Sequence, residues 1–400
     1  MSGIYNRQGI WWRHYIPMLI MVFLLIVPSV RSTFNSYGLR SVYMLALSFS
    51  FSFCLTPIFR WAATAVGAMD IPDARKNHGE ATPLLGGGAV FISFLLALLI
   101  NGIFSKELLA VLAASSLLFV MGAVDDIKNV KAGVKLFAQL LAVGFVMFQG
   151  VVVRVLPESL GVISDVCNGG LTILWILGIT NAFNFFDGMD GMASGLGVII
   201  AFFLGVVAFQ TDQPFLGWTA VAVMGSCLGF LPYNLLKNER ATIFLGDAGS
   251  TVIGFILACV AVYGEWNIDN TVIAVVSPLL IFWVLIFDMV HITIDRVLTG
   301  KVGSFRQWLE YVGRDHLHHR VAQILGSQKR SVFFIYLLTG CFGISAVVLR
   351  NASTGDAVLL LFQALCMVIM VTALERIGRK KPNCENNASD SEKDNPSQFL

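Results

Sequence analysis

Apolar runs long enough to cross a bilayer recur along nearly the whole chain, and this constrains the fold more than any motif. A backbone in hydrocarbon must satisfy its own N–H and C=O groups, so each run must be a helix. The runs lie near 16–30, 41–60, 86–103, 107–124, 134–153, 170–186, 192–210, 216–233, 249–264, 271–294, 331–349 and 356–375. Each approaches the roughly 20 residues a spanning helix needs, although several are short or contain Gly and Pro. The expected fold is an all-α polytopic integral membrane protein with 11–12 transmembrane helices. A composition of 56% hydrophobic and 13% charged residues in 400 positions excludes a string of soluble domains. The first run follows Arg7 and Arg13, has Trp11 and Trp12 as interface anchors, and lacks a small-residue cleavage pattern. It is read as an uncleaved span.

The basic residues orient the bundle. With the N-terminus inside, the cytoplasmic segments are 1–15, 61–85, 125–135, 187–191, 234–248, 295–330 and 376–400, and they hold 21 of the 27 Lys and Arg residues. Loops rich in Lys and Arg stay on the cytoplasmic side, which fixes the expected topology. Residues 1–380 are expected to form the membrane domain, with 381–400 a polar, disordered cytoplasmic tail. The seven cysteines have no metal-ligand spacing and read as small apolar residues or unpaired thiols. The sequon at Asn387 falls on the inner side and reads as chance.

Five polar constellations fall on that same inner side. The sharpest is Asn181-Ala-Phe-Asn184-Phe-Phe-Asp187-Gly-Met-Asp190-Gly, whose amides and carboxylates recur every third position at the end of an apolar helix. Charge at a membrane boundary is costly unless it meets a cation or water. Asp125-Asp126, with Lys135 opening the next helix, pairs two mutually repelling carboxylates, which favours a bound cation or a base. The bland alternative is a helix cap or an ion pair with Lys128 or Lys131. Asp247 lies between Gly246 and Gly249, where a ligand can approach the backbone closely.

Two constellations are basic. Arg75, Lys76 and His78 suit phosphate oxygens, and Gly86 to Gly88 after them allow close helix approach rather than forming a P-loop. Arg314-Asp-His316-Leu-His318-His319-Arg320 gathers three of the six histidines. Without a nearby cysteine, phosphate contact suits it better than zinc. Together the five sites suggest acidic magnesium binding beside a basic phosphate clamp, where a lipid phosphate and a nucleotide-diphosphate donor would complete the site.

In these motifs the sequence resembles the polyprenyl-phosphate N-acetylhexosamine-1-phosphate transferase (MraY/WecA-like) family. The matching residues are Asp70-x-Pro with Arg75-Lys76-x-His78 and the glycines at 86–88; Asp125-Asp126 with Lys135; the ladder from Asn181 to Gly191; Phe244-Leu-Gly-Asp247-Ala-Gly-Ser250; and His316-Leu-His318-His319. They run in register from about 40 to 375. The His-x-His-His pattern looks more like the N-acetylglucosamine branch than the peptidoglycan branch. Met192 replaces a usual Leu, and the extended segment Thr299 to Gly313 leaves sugar recognition open.

The resemblance implies transfer of a sugar phosphate, GlcNAc-1-phosphate first among candidates, from a UDP-sugar to undecaprenyl phosphate with release of UMP. That step starts lipid-linked envelope polysaccharide synthesis, such as O antigen or other lipopolysaccharide parts, at the inner membrane. UDP-MurNAc-pentapeptide or a deoxy-sugar nucleotide are alternative donors. It implies Mg²⁺ (or Mn²⁺) held by Asp247, Asn184 and Asp187, with Asp125 or Asp126, Lys135 and Asp190 in the chemistry. Arg75, Lys76, His78, Asn181, Asn234, His316, His318, His319 and Arg320 would bind substrate. A homodimer is compatible with this; nucleic acid is not an expected partner. The competing class is a cation-coupled transporter, whose carboxylates should lie near the bilayer midplane. Here they cluster at helix ends, apart from an internal Asp288 read as a fold-stabilising contact.

Overall fold

The computed structural model describes residues 2–71, 81–235, 240–267, 269–304, 307, 311, 313 and 315–379. The tail expected to be disordered, and Arg75, Lys76 and His78, lie outside these residues. All twelve apolar runs are helical. They correspond to α1 (Ser2–Ile26) with α2 (Pro28–Ser36), α3 (Arg40–Val66), α4 (Gly86–Asn101), α5 (Lys106–Lys128), α6 (Ala132–Phe148), α7 (Val162–Phe186), α8 (Met192–Gln210), α9 (Pro214–Asn234), α10 (Gly246–Tyr263) and α11 (Thr271–Ile281) with α12 (Trp283–Leu298). After the short α13 (Leu317–Leu325) come α14 (Gln328–Val348) and α15 (Thr354–Arg379). The only strands among the described residues, β1 (Met69–Asp70) and β2 (Thr82–Pro83), pair antiparallel at the base of the first basic loop.

Among the described residues, eight helices are individually long and apolar enough to span a membrane, and ten if each bent pair counts once. The bends are 75° between α1 and α2 and 77° between α11 and α12. The remaining two expected spans, α4 and α6, are only 16 and 17 residues long. Both start at the acidic end of the bundle, where the preceding chain turns back to build the site. The expected 11–12 spans thus resolve into eight to ten by length, with two shorter apolar helices beside them.

Burial against other helices gains little hydrophobic energy in lipid, so close packing and interhelical hydrogen bonds must hold the bundle. α10 sits at its centre, packed on α5, α7 and α4, while α9 lies between α3 and α8. α4 and α10 approach so closely that a Cβ at Gly87 would collide with the Gly249 backbone. That approach lets the Gly86 and Gly87 amides donate to the Phe244 and Leu245 carbonyls at 3.0 and 2.8 Å. The Phe244 amide in turn donates to Pro83 O at 2.8 Å. The expected role of these glycines, close helix approach, is met, and the segment leading into Asp247 is pinned by it.

At the opposite end of α4, the Arg40 guanidinium donates to Asn101 O at 2.7 Å and Arg31 donates to Ile100 O. Cations are favourable at a helix C-terminus, where carbonyls lack intrahelical partners.

Candidate active site

The N-terminal ends of α4, α6, α8 and α10 and the C-terminal ends of α5, α7 and α9 meet at one end of the bundle. Asp125 and Asp126 close α5, and being neighbours on a helix they project about 100° apart. The consequence is a division of partners. Asp126 accepts the Asp247 amide at 2.8 Å and the Ala248 amide at 3.3 Å, capping the free N–H groups of α10 from another helix. Gly246, at φ +76°, makes the turn against which that carboxylate packs. Asp125 is buried, accepts the Val130 amide at 2.6 Å through Oδ1, and meets Lys135 Nζ through Oδ2. Of the bland alternative, the helix cap is met by Asp126 on α10, while among the described residues neither carboxylate takes the surface pair with Lys128 or Lys131.

Lys135, in the first turn of α6, bridges Asp125 to Asp247, with Nζ 2.8 Å from Asp247 Oδ2. Asp247 Oδ1 accepts the Asn184 side-chain nitrogen at 3.0 Å, and that nitrogen also reaches Ser250 Oγ at 3.1 Å. Lys135 and Asp247 each keep 35% of their side-chain surface open, enough for a ligand to exchange places with their mutual bond. They line a narrow pocket with Asp125, Gln139, Gly122 and Thr251. Gln139, one turn beyond Lys135, exchanges amide hydrogen bonds of 2.9 and 3.3 Å with Asn181.

The ladder turn holds the rest. Asp187 follows α7, and burial, then the charges of Asp247, Asp126 and Asp190, push its carboxyl well above the usual range. Asp190 accepts the Ala241 amide at 3.0 Å. Asn234 is buried: its oxygen accepts the Gly191 amide at 2.9 Å and the Ser194 hydroxyl at 3.2 Å, and its nitrogen donates to Ile243 O at 3.1 Å. Its oxygen and one of its two N–H groups thus brace the turn from within.

The histidines pack against the same turn. Rings stack from Phe185 to His316 (5.1 Å) and on to His318 (5.9 Å), while His319 lies 4.2 Å from His318. A Cβ at Gly188 would sit 3.0 Å from His318 Nε2. His318 is fully buried, and neither ring nitrogen has a hydrogen-bond partner among the described residues. Burial, then His319, His316 and Arg320, push it well below the usual imidazole range, so it is neutral. Arg320 Nη1 lies 3.2 Å from His291 Nδ1. Behind them, Arg296 donates to both oxygens of Asp315 at 2.8 and 2.7 Å.

Five carboxyl groups, Asp125, Asp126, Asp187, Asp190 and Asp247, therefore share this end of the bundle, and Lys135 is the ammonium set between two of them. The surplus negative charge suits a hard cation, which magnesium sites of this kind satisfy with one or two carboxylates plus substrate phosphates. Among the described residues no three His, Cys, Asp or Glu side chains close into a complete cage. Asn184 turns its nitrogen toward Asp247, so in this arrangement it orients that carboxylate and would have to turn its oxygen inward to ligate an ion.

Sequence reasoning missed Gln139, Ser250 and Phe185. Gln139 was accessible through its i+4 spacing from Lys135. Ser250 stood inside a quoted motif, and Phe185 looked like any apolar residue of α7.

The model of glycosyl transferase family 4 matches residues 108–265, which include the paired aspartates, the ladder and Asp247. A Bacillus subtilis protein named as a probable undecaprenyl-phosphate N-acetylglucosaminyl 1-phosphate transferase is 30% identical over 86% of this chain and 94% of its own length. A decaprenyl-phosphate N-acetylglucosaminephosphotransferase of Mycolicibacterium smegmatis is 30% identical over 88% of this chain and 93% of its own. The undecaprenyl-phosphate alpha-N-acetylglucosaminyl 1-phosphate transferase of Escherichia coli is 28% identical over 75% and 82%. With the family's motifs gathered at one end of the bundle and relatives matched over most of their length, the chain belongs to glycosyl transferase family 4.

Proposed function

We propose that this protein transfers N-acetylglucosamine-1-phosphate from UDP-N-acetylglucosamine to a polyprenyl phosphate such as undecaprenyl phosphate, at the cytoplasmic face of the inner membrane. The observation that carries the reading is the single Lys135 ammonium set between Asp125 and Asp247 at the end of a membrane bundle. The relatives' names supply the substrate class.

An oxygen of the acceptor phosphate attacks the donor's β-phosphorus. The new O–P bond forms as the bond to the bridging oxygen breaks, and UMP leaves with that oxygen. Mg²⁺, held by Asp247 and Asp187, would neutralise the diphosphate and polarise the reacting phosphoryl group. Lys135 exchanges one carboxylate for a phosphate oxygen, and Asp125, freed from it, orients or deprotonates the acceptor. His319 and Arg320 offer donors to the anionic substrates. Asp126 and Asn234 keep the backbone frame fixed.

The test is purified full-length protein with undecaprenyl phosphate and a panel of UDP-sugars, read as lipid-linked sugar diphosphate and UMP. Turnover with UDP-N-acetylglucosamine supports the reading. Turnover confined to another UDP-sugar corrects the donor, and none with any donor refutes the activity.

A further inference from the structure

α12 carries a carboxylate that this chemistry does not use. Asp288 is fully buried, on an apolar helix, where an unpartnered charge would not be tolerated. Its partners come from the start of α13. His316 Nδ1 lies 2.8 Å from Oδ2, the Leu317 amide donates to Oδ1 at 2.7 Å, and Arg320 Nη2 is 3.6 Å from Oδ1. The carboxylate therefore caps the first turn of α13 and grips the histidine that precedes it. The other constraint on that ring is Phe185, stacked on its face at an interplanar angle of 26°. Phe185 adjoins Asn184, the orienting partner of Asp247. Edge and face of His316 are thus fixed from two helices, α12 and α7. Among the described residues its side chain makes no other hydrogen bond, so Nε2 is left over.

We infer that Asp288 is a positioning residue that takes the Nδ1–H of His316 and thereby presents Nε2 as a hydrogen-bond acceptor for a substrate O–H group in the transition state. A carboxylate accepts but cannot donate, so it selects the Nδ1–H tautomer. Partners of this kind hold the ring's orientation as well as its proton. The inference rests on the transferase reading for its substrate, but not for the tautomer.

The experiment uses full-length protein in lipid nanodiscs with ¹⁵N-labelled histidine, as wild type, Asp288→Asn and His316→Asn. The His316 signal is the one missing from His316→Asn. Long-range ¹H–¹⁵N correlation should show the Nδ1–H tautomer in wild type and a shift toward Nε2–H in Asp288→Asn, whose amide can donate to Nδ1. Turnover of Asp288→Asn should fall roughly 10–100-fold, the usual loss when an orienting partner is removed. KM for the UDP-sugar should stay within about threefold, a split that general loosening of the fold would not give. An Nε2–H tautomer or a doubly protonated His316 ring in wild type, or near-wild-type kcat in Asp288→Asn, overturns the proposal. Should Asp288→Asn fail to fold, His316→Asn decides alone. Its amide nitrogen can keep the bond to Asp288, so wild-type kcat there would equally overturn it. Failure of the transferase reading would instead appear as no turnover in wild type, with the tautomer result intact.

Discussion

Lys135 Nζ stands 2.8 Å from Asp247 Oδ2 across 112 residues of sequence, and the same nitrogen also binds Asp125. One cation thus holds two carboxylates from α5 and α10 at the distance where a phosphate could replace either. Lys135→Met removes the charge while keeping most of the side chain's bulk. Turnover should fall by about 10²–10³, the usual cost of losing one donor to developing phosphoryl charge. Thermal stability should fall as well, because the buried Asp125 loses its cation, whereas Asp247 keeps Asn184 and an open surface. Wild-type kcat in this variant would remove Lys135 from the mechanism.

Metal dependence follows from the excess of carboxylates. Turnover should stop in excess EDTA and return with Mg²⁺ or Mn²⁺. Asp247→Ala should not be rescued by either ion, because a ligand is lost while the first turn of α10 keeps its cap from Asp126. Full activity in EDTA would refute the metal role.

The contact between Gly87 and Gly249 sets the spacing of α4 and α10. Gly87→Ala should destabilise the folded protein by about 1–3 kcal/mol, the range for overpacking a tight contact. In detergent this should appear as a lower melting temperature together with lost activity, because the α4 backbone also anchors the segment before Asp247. An unchanged melting temperature would mean that the helices can separate without cost.

Asp315 and Arg296 give a pH signature. Burial raises the Asp315 carboxyl, but two hydrogen bonds from Arg296 outweigh it and hold the group below the usual carboxylate range. A depressed folded pKa stabilises above the unfolded value, about 3.9, and that contribution is lost as pH falls through the folded pKa. Wild type should therefore melt higher than Asp315→Asn at pH 6–7, and the gap should narrow as the pH drops below about 4. A gap that stays constant with pH would show that the carboxylate's charge contributes nothing.

How far the sequence could be read depended on how local each signal was. Apolar length and the bias of Lys and Arg are properties of single segments, so the helices and their common polar end were visible. Arg31 and Arg40, exceptions to the charge count, prove to bind the last carbonyls of α4, a partnership over 69 and 61 residues that spacing cannot reveal. The histidines were visible as a cluster, but their orientation depends on Asp288, 28 residues before His316. Asn234, a substrate contact by resemblance, also braces the ladder turn through its oxygen and one N–H, a structural role that the sequence did not reveal.

Asp125 and Asp126 are the hardest pair to separate by sequence and the clearest to separate by structure. Their partners differ because adjacent helical residues face different neighbours: α6 for one, α10 for the other. Asp125→Asn keeps the oxygen that receives the Val130 amide and puts an N–H donor where the charged oxygen faced Lys135, which keeps its bond to Asp247. Turnover should fall by about 10²–10⁴, the range for a group that moves or orients a proton, with the melting temperature nearly unchanged. Asp126→Asn has one acceptor oxygen where two amides, Asp247 N and Ala248 N, now find one each. It should lose about 0.5–2 kcal/mol of stability, as for a missing helix cap. Its activity should fall as Asp247 shifts, and recover in part under conditions that stabilise the fold. Measuring kcat and melting temperature for both variants decides the assignment: a stable, inactive Asp126→Asn beside an unstable Asp125→Asn would reverse it.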